Sequence, residues 1–227
     1  MSFNYSPKVV KDGLVFCLDA ANMKSYPASG NSWFDIGTSN NTCTLQNTPT
    51  FSSTNNGIIT FDGVNEYGIT SNFYDFSLTN QLVASVWCKS NVSTWNDYGF
   101  ILSKRDQFII HPTISSKEVV VFVNTTTVGW ESIFHTPTAS ITDFNNYVLS
   151  YNSGILKIYF NGELKATNTN VGTTLSSSTS PLYVGRDSTL NRYLNGSISN
   201  VLIYNKILTD AQVLQNYNAH KTRFNLS

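Results

Sequence analysis

Apolar and polar residues alternate along this chain in short runs, and clusters of Gly, Asn, Asp and Ser punctuate them. Period-two runs rich in β-branched and aromatic residues predict strands, and the punctuating residues predict turns. The predicted strands are Leu14–Leu18, Ile58–Phe61, Leu82–Lys89, Phe100–Ser103, Phe108–His111, Val119–Val123, Tyr147–Tyr151, Ile155–Phe160, Pro181–Gly185 and Ile198–Tyr204. Val119–Val123 is a continuous β-branched run, which predicts a strand covered on both faces. In the last run Ile198, Leu202 and Tyr204 share one parity, and Ser197, Ser199 and Val201 the other. That pattern predicts one apolar face and one solvated face.

Two turns fix the centre of the chain. Asn152-Ser153-Gly154 joins Tyr147–Tyr151 to Ile155–Phe160, and Asn161-Gly162 follows directly. Asn-Gly suits the positive φ values of a type I′ turn, so a three-strand meander is predicted from Tyr147 to about Thr167. One helix is predicted at the sandwich edge. Thr209 is its N-cap, Gln212 completes a capping box, and Leu208 with Val213 forms a hydrophobic staple. Val213, Leu214 and Tyr217 give its apolar stripe, and the tail from Lys221 to Ser227 is predicted to run extended. Many strands and one short helix give an all-β fold, an antiparallel two-sheet β-sandwich over residues 1–227 as one domain.

Composition narrows the chemistry. Only 12% of the 227 residues are charged, about half the usual fraction. Lys plus Arg and Asp plus Glu number 14 each, with no basic run, so nucleic acid is not an expected partner. No apolar stretch approaches the length of a membrane span, and no charged segment followed by an apolar one marks a cleavable signal near Met1. Cys17, Cys43 and Cys88 are odd in number and lack CxxC spacing, which argues against a disulfide framework or a zinc site. Buried reduced thiols and folding in a reducing cytoplasm are expected.

Several segments together resemble the concanavalin A-like lectin/glucanase superfamily, in its laminin-G-like branch. They are Phe61-Asp62-Gly63-Val64-Asn65-Glu66-Tyr67, Ala84-Ser85-Val86-Trp87-Cys88-Lys89, Leu156–Leu164 around Asn161-Gly162, and Leu194–Asn205 followed by Leu208-Thr209. The resemblance implies a jelly roll of two curved sheets. The segment Asp12–Asn22, with Ser25-Tyr26-Pro27 and Trp33-Phe34-Asp35, is similar to laminin-G-like proteins of tailed-bacteriophage virions. That likeness implies a virion structural protein, such as a capsid decoration or fibre component, made in the host cytoplasm and contacting other virion proteins.

Candidate chemistry is sparse. Glycosidases use two carboxylates flanking the sugar bond, and glucanase relatives carry them as Glu-x-Asp-x-x-Glu. Glu66, Glu118, Glu131 and Glu163 do not fall in that pattern, and Asp97 and Asp106 make no recognisable pair. His111, His135 and His220 lack a serine elbow to serve, and His220 ends the helix where it complements the dipole. No catalytic residue is expected. Some laminin-G-like domains hold one calcium, and Asp62 and Asn65 offer suitable oxygens. The competing reading is a tight turn in which both residues bond their own backbone. Two ligands fall far short of the six to eight calcium takes, so no cofactor is expected.

Sugar recognition combines aromatic platforms with polar partners. Trp95, Asp97 and Tyr98 lie in one loop-like stretch, Trp130 in another, and Arg186, Asp187 and Arg192 beyond a strand end. These are the candidate ligand-binding residues, because loops on a rigid sandwich carry function. Trp87 sits mid-strand and is assigned to the core. Two functions follow as expectations: a virion structural protein working through protein contacts, and a carbohydrate-binding module for host-surface glycans.

Overall fold

Alternation along the strands sorts side chains between two sheets, and the register shows which face each residue takes. The structure is a computed structural model and describes residues 7–96 and 98–226. Strands follow in chain order: β1 Leu14–Asp19, β2 Ser32–Trp33, β3 Cys43–Gln46, β4 Thr50–Ser52, β5 Ile58–Asp62, β6 Tyr67–Asn72, β7 Gln81–Ser90 and β8 Leu102–Lys104. They continue as β9 Phe108–Pro112, β10 Val119–Thr125, β11 Gly129–His135, β12 Asn145–Asn152, β13 Ile155–Phe160, β14 Glu163–Asn168, β15 Pro181–Val184 and β16 Asn195–Tyr204, and helix α1 spans Asp210–His220. One sheet runs β14-β13-β12-β7-β16-β5-β4 with β1 also on β16, and the other runs β11-β10-β9-β8-β15-β6-β3-β2. Phe16, Phe61, Val86, Tyr147 and Ile158 from the first sheet meet Leu102, Phe108, Ile110, Val121 and Val184 from the second in one continuous core.

The predicted meander is present. Tyr147 pairs with Phe160 and Asn152 with Ile155, and Phe160 pairs with Glu163 across the next turn. Asn161 (φ 51°) and Gly162 (φ 81°) take the left-handed values a type I′ turn requires. A Cβ on Gly162 would also meet the Leu214 and Tyr217 side chains of α1 at about 3.0 Å, so the glycine admits the helix.

Four readings of the sequence are corrected. Helix α1 lies on the outer face of the first sheet and not at the sandwich edge: its Val213, with Leu208, packs on Cys17, Val83, Val148, Tyr159, Leu202 and Tyr204. Its capping box forms as expected, but Leu214 faces solvent while Asn216 and His220 are buried. Asn216 earns that position by hydrogen bonding. Its Oδ1 accepts from the Val10 amide at 2.8 Å, its Nδ2 donates to the Tyr204 hydroxyl at 2.9 Å, and that hydroxyl donates to the Val10 carbonyl at 2.9 Å.

Second, β16 is buried on both faces, because α1 covers the outside. A bulge between Ile198 and Asn200 re-phases the strand, so Ile198, Val201 and Ile203 face the core and Leu202 and Tyr204 face the helix. Third, β10 is covered on one face only: Val119, Val121 and Val123 are buried, while Val120 and Phe122 are half-buried on the open side of the second sheet. Fourth, the segment after Lys221 is not extended. Lys221–Phe224 forms a 3₁₀ turn, and Phe224 stacks on Trp87 at 4.5 Å and on Phe144 at 4.6 Å. Trp87, on which Tyr217 also stacks, therefore lies in a satellite core under the helix.

The architecture is two-sided as a result. Helix α1 packs on part of the outer face of the first sheet, and among the described residues no α-helix lies on the outer face of the second.

Candidate functional site

On that open face, side chains of one parity from neighbouring strands come together. Ile109 and His111 of β9, Phe122 of β10 and Trp130 of β11 point outward, and Phe100, Arg105, Leu190 and Arg192 complete a pocket of about 200 Å³. The register explains the grouping, since Phe122 pairs with Ile109, Val120 with His111, and Asn124 with Trp130. The His111 ring is stacked between Phe100 (4.7 Å, 27°) and Phe122 (4.9 Å, 16°), and Trp130 meets Phe122 edge-on at 6.4 Å. The floor is thus a stack of rings whose faces cover one another, and it ends in Trp130, the exposed ring able to meet the apolar face of a ligand.

The electrostatics are modest and local. Burial pushes the His111 imidazole below its ordinary range and the Arg192 cation lowers it further, against the Pro112 carbonyl and Asp187, which raise it. That balance favours the neutral ring. The Arg192 guanidinium lies 4.3 Å from the Tyr98 ring centre, and Arg105 lies 5.8 Å from that of Trp130. Asp187 is fully buried and pairs with Arg105 at 3.3 Å, so it orients that side chain rather than meeting a ligand.

Trp130, Arg192 and Tyr98 thus come together at the groove, with Asp187 behind it. Trp95 does not. It is 1% exposed and belongs to the inter-sheet core, because its loop pairs with the next one through Trp95 N–H to Ser116 O (2.9 Å) and Ser115 N–H to Trp95 O (3.2 Å). Asp97 lies outside the described residues. Arg186 is turned toward Tyr67 (4.6 Å), Tyr193 (5.1 Å) and Tyr183 (5.8 Å), which makes it a local staple. Trp130 sits on strand β11, where a loop was expected. Sequence reasoning missed Phe100, Arg105, Ile109, Phe122 and Leu190, and weighed His111 only as a base. The signal was the shared outward parity of Ile109 with His111 and of Val120 with Phe122, readable once that face is known to be open.

The other candidates have local duties. Asp62 Oδ1 accepts from the amides of Val64 (2.8 Å), Asn65 (3.2 Å) and Glu66 (3.3 Å), and Glu66 Oε2 accepts from the Asp62 amide at 2.9 Å. Slight burial opposes ionisation of Asp62, but the amide donors outweigh it and hold the carboxyl below its ordinary range. The self-bonded turn accounts for that oxygen. Glu131 accepts from Thr125 Oγ1 and Gly172 N–H, Glu118 from Thr113 and Thr136, and Glu163 from Lys165. Among the described residues no group of three or more His, Cys, Asp or Glu side chains is arranged to hold a metal ion. No helix of the described residues is long and apolar enough to cross a membrane.

Comparison with known proteins now defines the class. Residues 61–214 match a laminin G family model of the concanavalin A-like lectin/glucanases superfamily, and the chain belongs to that family. No curated protein gives a significant match. Among solved structures, the binding domain of botulinum neurotoxin DC, determined with SialylT and also with rat synaptotagmin II, superposes with a TM-score of 0.72 at 16% identity; the match covers 92% of this chain and 52% of that one. The binding domain of Paraclostridial Mosquitocidal Protein 1 gives 0.71 at 16% identity, covering 92% and 52%. This chain spans about half the length of those domains, and at such identity the likeness is one of fold.

Proposed function

We propose that this chain is a non-enzymatic glycan-binding module whose ligand rests on the ring strip of the open sheet. The observation that carries the reading is the Phe100–His111–Phe122 stack leading to Trp130, with Arg105 and Arg192 at its rim. The exposed Trp130 ring can take the apolar face of a sugar, and guanidinium groups donate to hydroxyl or carboxylate oxygens. Binding domains among the fold neighbours support a recognition role. The test is a broad glycan array followed by Trp130→Ala and Arg192→Ala. Loss of a buried Trp anchor costs about 2 kcal/mol or more, roughly thirtyfold in affinity. Trp130→Ala should show that loss with little change in melting temperature. A silent array ends this reading.

A second reading, a capsid or fibre component of a bacteriophage virion, is supported by the Asp12–Asn22 segment and by exposed Phe134 and Val128 around strand β11. It places the protein in the particle, assembled in the host cytoplasm and touching other virion proteins. Mass spectrometry of purified particles that never detects the chain would defeat it. Both readings work without a cofactor, and calorimetric titration with calcium should give no heat.

A further inference from the structure

The 3₁₀ turn that follows α1 closes over the outer face of the first sheet. A row of paired residues runs beneath it: Asp19 of β1 pairs with Asn200 of β16, and Asn200 with Trp87 of β7. Directly paired residues point to the same face of a sheet, so these three side chains project outward together. Two fastenings hold the turn on the row. Phe224 stacks on Trp87 and Phe144. Arg223 donates to Asp19 Oδ1 at 2.9 Å and to Ser199 Oγ at 2.7 Å, and lies 3.5 Å from the Gly57 carbonyl.

His220 stands at the junction of helix and turn. It is 8% exposed, and its Nδ1 bonds the Asn216 carbonyl at 3.1 Å. A carbonyl only accepts, so the neutral ring carries its proton on Nδ1, and acid adds a second proton at Nε2. That step places a cation in a buried site. Two charged groups face the ring. Asp19 of β1 favours the cation, but its Oδ1 already accepts from Arg223 and from the Ala21 amide at 3.0 Å. Arg223 of the turn opposes it, and burial, the largest effect, holds the imidazole below its ordinary range. Asn200 and Trp87 in the row carry no charge. Tyr217 is pushed up by burial and stays a neutral phenol in acid, and Lys221 lies 5.9 Å from its ring centre. The closed turn also buries unmet polar groups. Asn200 is fully buried, and among the described residues neither its Oδ1 nor its Nδ2 has a hydrogen-bond partner; nor has Arg223 Nε. Opening would return these atoms to water, which favours release.

We propose that Lys221–Phe224 is an acid-sensitive latch, released from the row Asp19–Asn200–Trp87 when His220 takes up a proton. The closed latch prefers the neutral ring. Its stability is therefore intact above the ordinary histidine value of about 6.5 and falls as the pH drops below it. Release uncovers Trp87 and Phe144, which form a cluster separate from the inter-sheet core, so the sandwich stays folded. The latch does not depend on the function proposed for the ring strip.

The experiment is amide hydrogen exchange of the whole chain at pH 7.5 and pH 5, corrected for the intrinsic rate. The Lys221 and Asn225 amides, bonded to the carbonyls of Tyr217 and of Lys221 and Thr222, should lose protection about tenfold at pH 5, the factor given by one unit of pKa depression. Amides of β12 should not change. His220→Gln keeps a donor for the Asn216 carbonyl but takes up no proton, and should abolish the response. Arg223→Ala should speed exchange of the turn at both pH values. NMR titration of the His220 ring in the unaltered protein, which depends on no variant folding, should give a midpoint below 6.5. Equal protection at the two pH values, a response that persists in His220→Gln, a parallel loss in β12, an unaffected turn in Arg223→Ala, or a ring that titrates at 6.5 or above would each overturn the proposal.

Discussion

Replacing Asn216 by alanine removes the amide that joins the segment before β1 to helix α1 and strand β16. The Val10 N–H, buried and bonded at 2.8 Å, would lose its acceptor, and a buried orphan donor costs about 1–3 kcal/mol. The Tyr204 hydroxyl would still donate to the Val10 carbonyl but lose the Asn216 donor at 2.9 Å, a net bond of about 1 kcal/mol. Together the loss is roughly 2–4 kcal/mol, and at about 2–4 °C per kcal/mol for a domain of this length Tm should fall by roughly 5–15 °C. Thermal and urea unfolding followed by circular dichroism measure it, with an unchanged urea slope confirming that stability alone has moved. Tyr204→Phe breaks the same network from the other side, so the double variant should lose less than the sum of the singles. A Tm shift under about 1 °C, or strict additivity, would show that the network contributes nothing and that apolar contacts alone hold the helix.

Trp95→Ala should cost about 3–5 kcal/mol by opening a cavity in the inter-sheet core, a loss that guanidinium unfolding would reveal; a wild-type midpoint would mean that the indole is not core. The three thiols should resist a thiol reagent at pH 8 in the native protein and react once it is unfolded. Burial pushes Cys17 and Cys43 up to about 12, and Cys88 higher still. The unfolded chain therefore binds fewer protons above about pH 9, and each thiol should lower stability by about 1.4 kcal/mol per pH unit toward pH 12. Prompt labelling of the native protein at pH 8 would contradict that burial.

Much of the fold was legible because the longer strands carry their period in plain view. Strands β7, β12, β13 and β16 fall within a residue or three of their predicted limits, and Asn161-Gly162 turns where its chemistry requires. The short strands poor in apolar residues were not legible: β2 has two residues, and β3, β4 and β6 mix Thr, Ser, Gln and Asn with few apolar residues. The burial of β16 on both faces was hidden for another reason, since a bulge breaks the parity on which the reading depends. At the groove, sequence supplied Trp130, Tyr98 and Arg192 but not the floor. Phe122 and His111 look like ordinary strand residues until the sheet's outer face is found uncovered. Trp95 failed in the opposite sense, because a tryptophan in a loop reads as exposed until the backbone bonds to Ser115 and Ser116 are seen to draw it inward.

The covering of one sheet by α1 has a practical corollary. A probe, tag or surface linker attached through a cysteine placed at Leu214, which is 44% exposed on the helix, would anchor the molecule by its blind side. The opposite sheet would then stand free toward solution, so an immobilised sample should keep whatever recognition the free protein has.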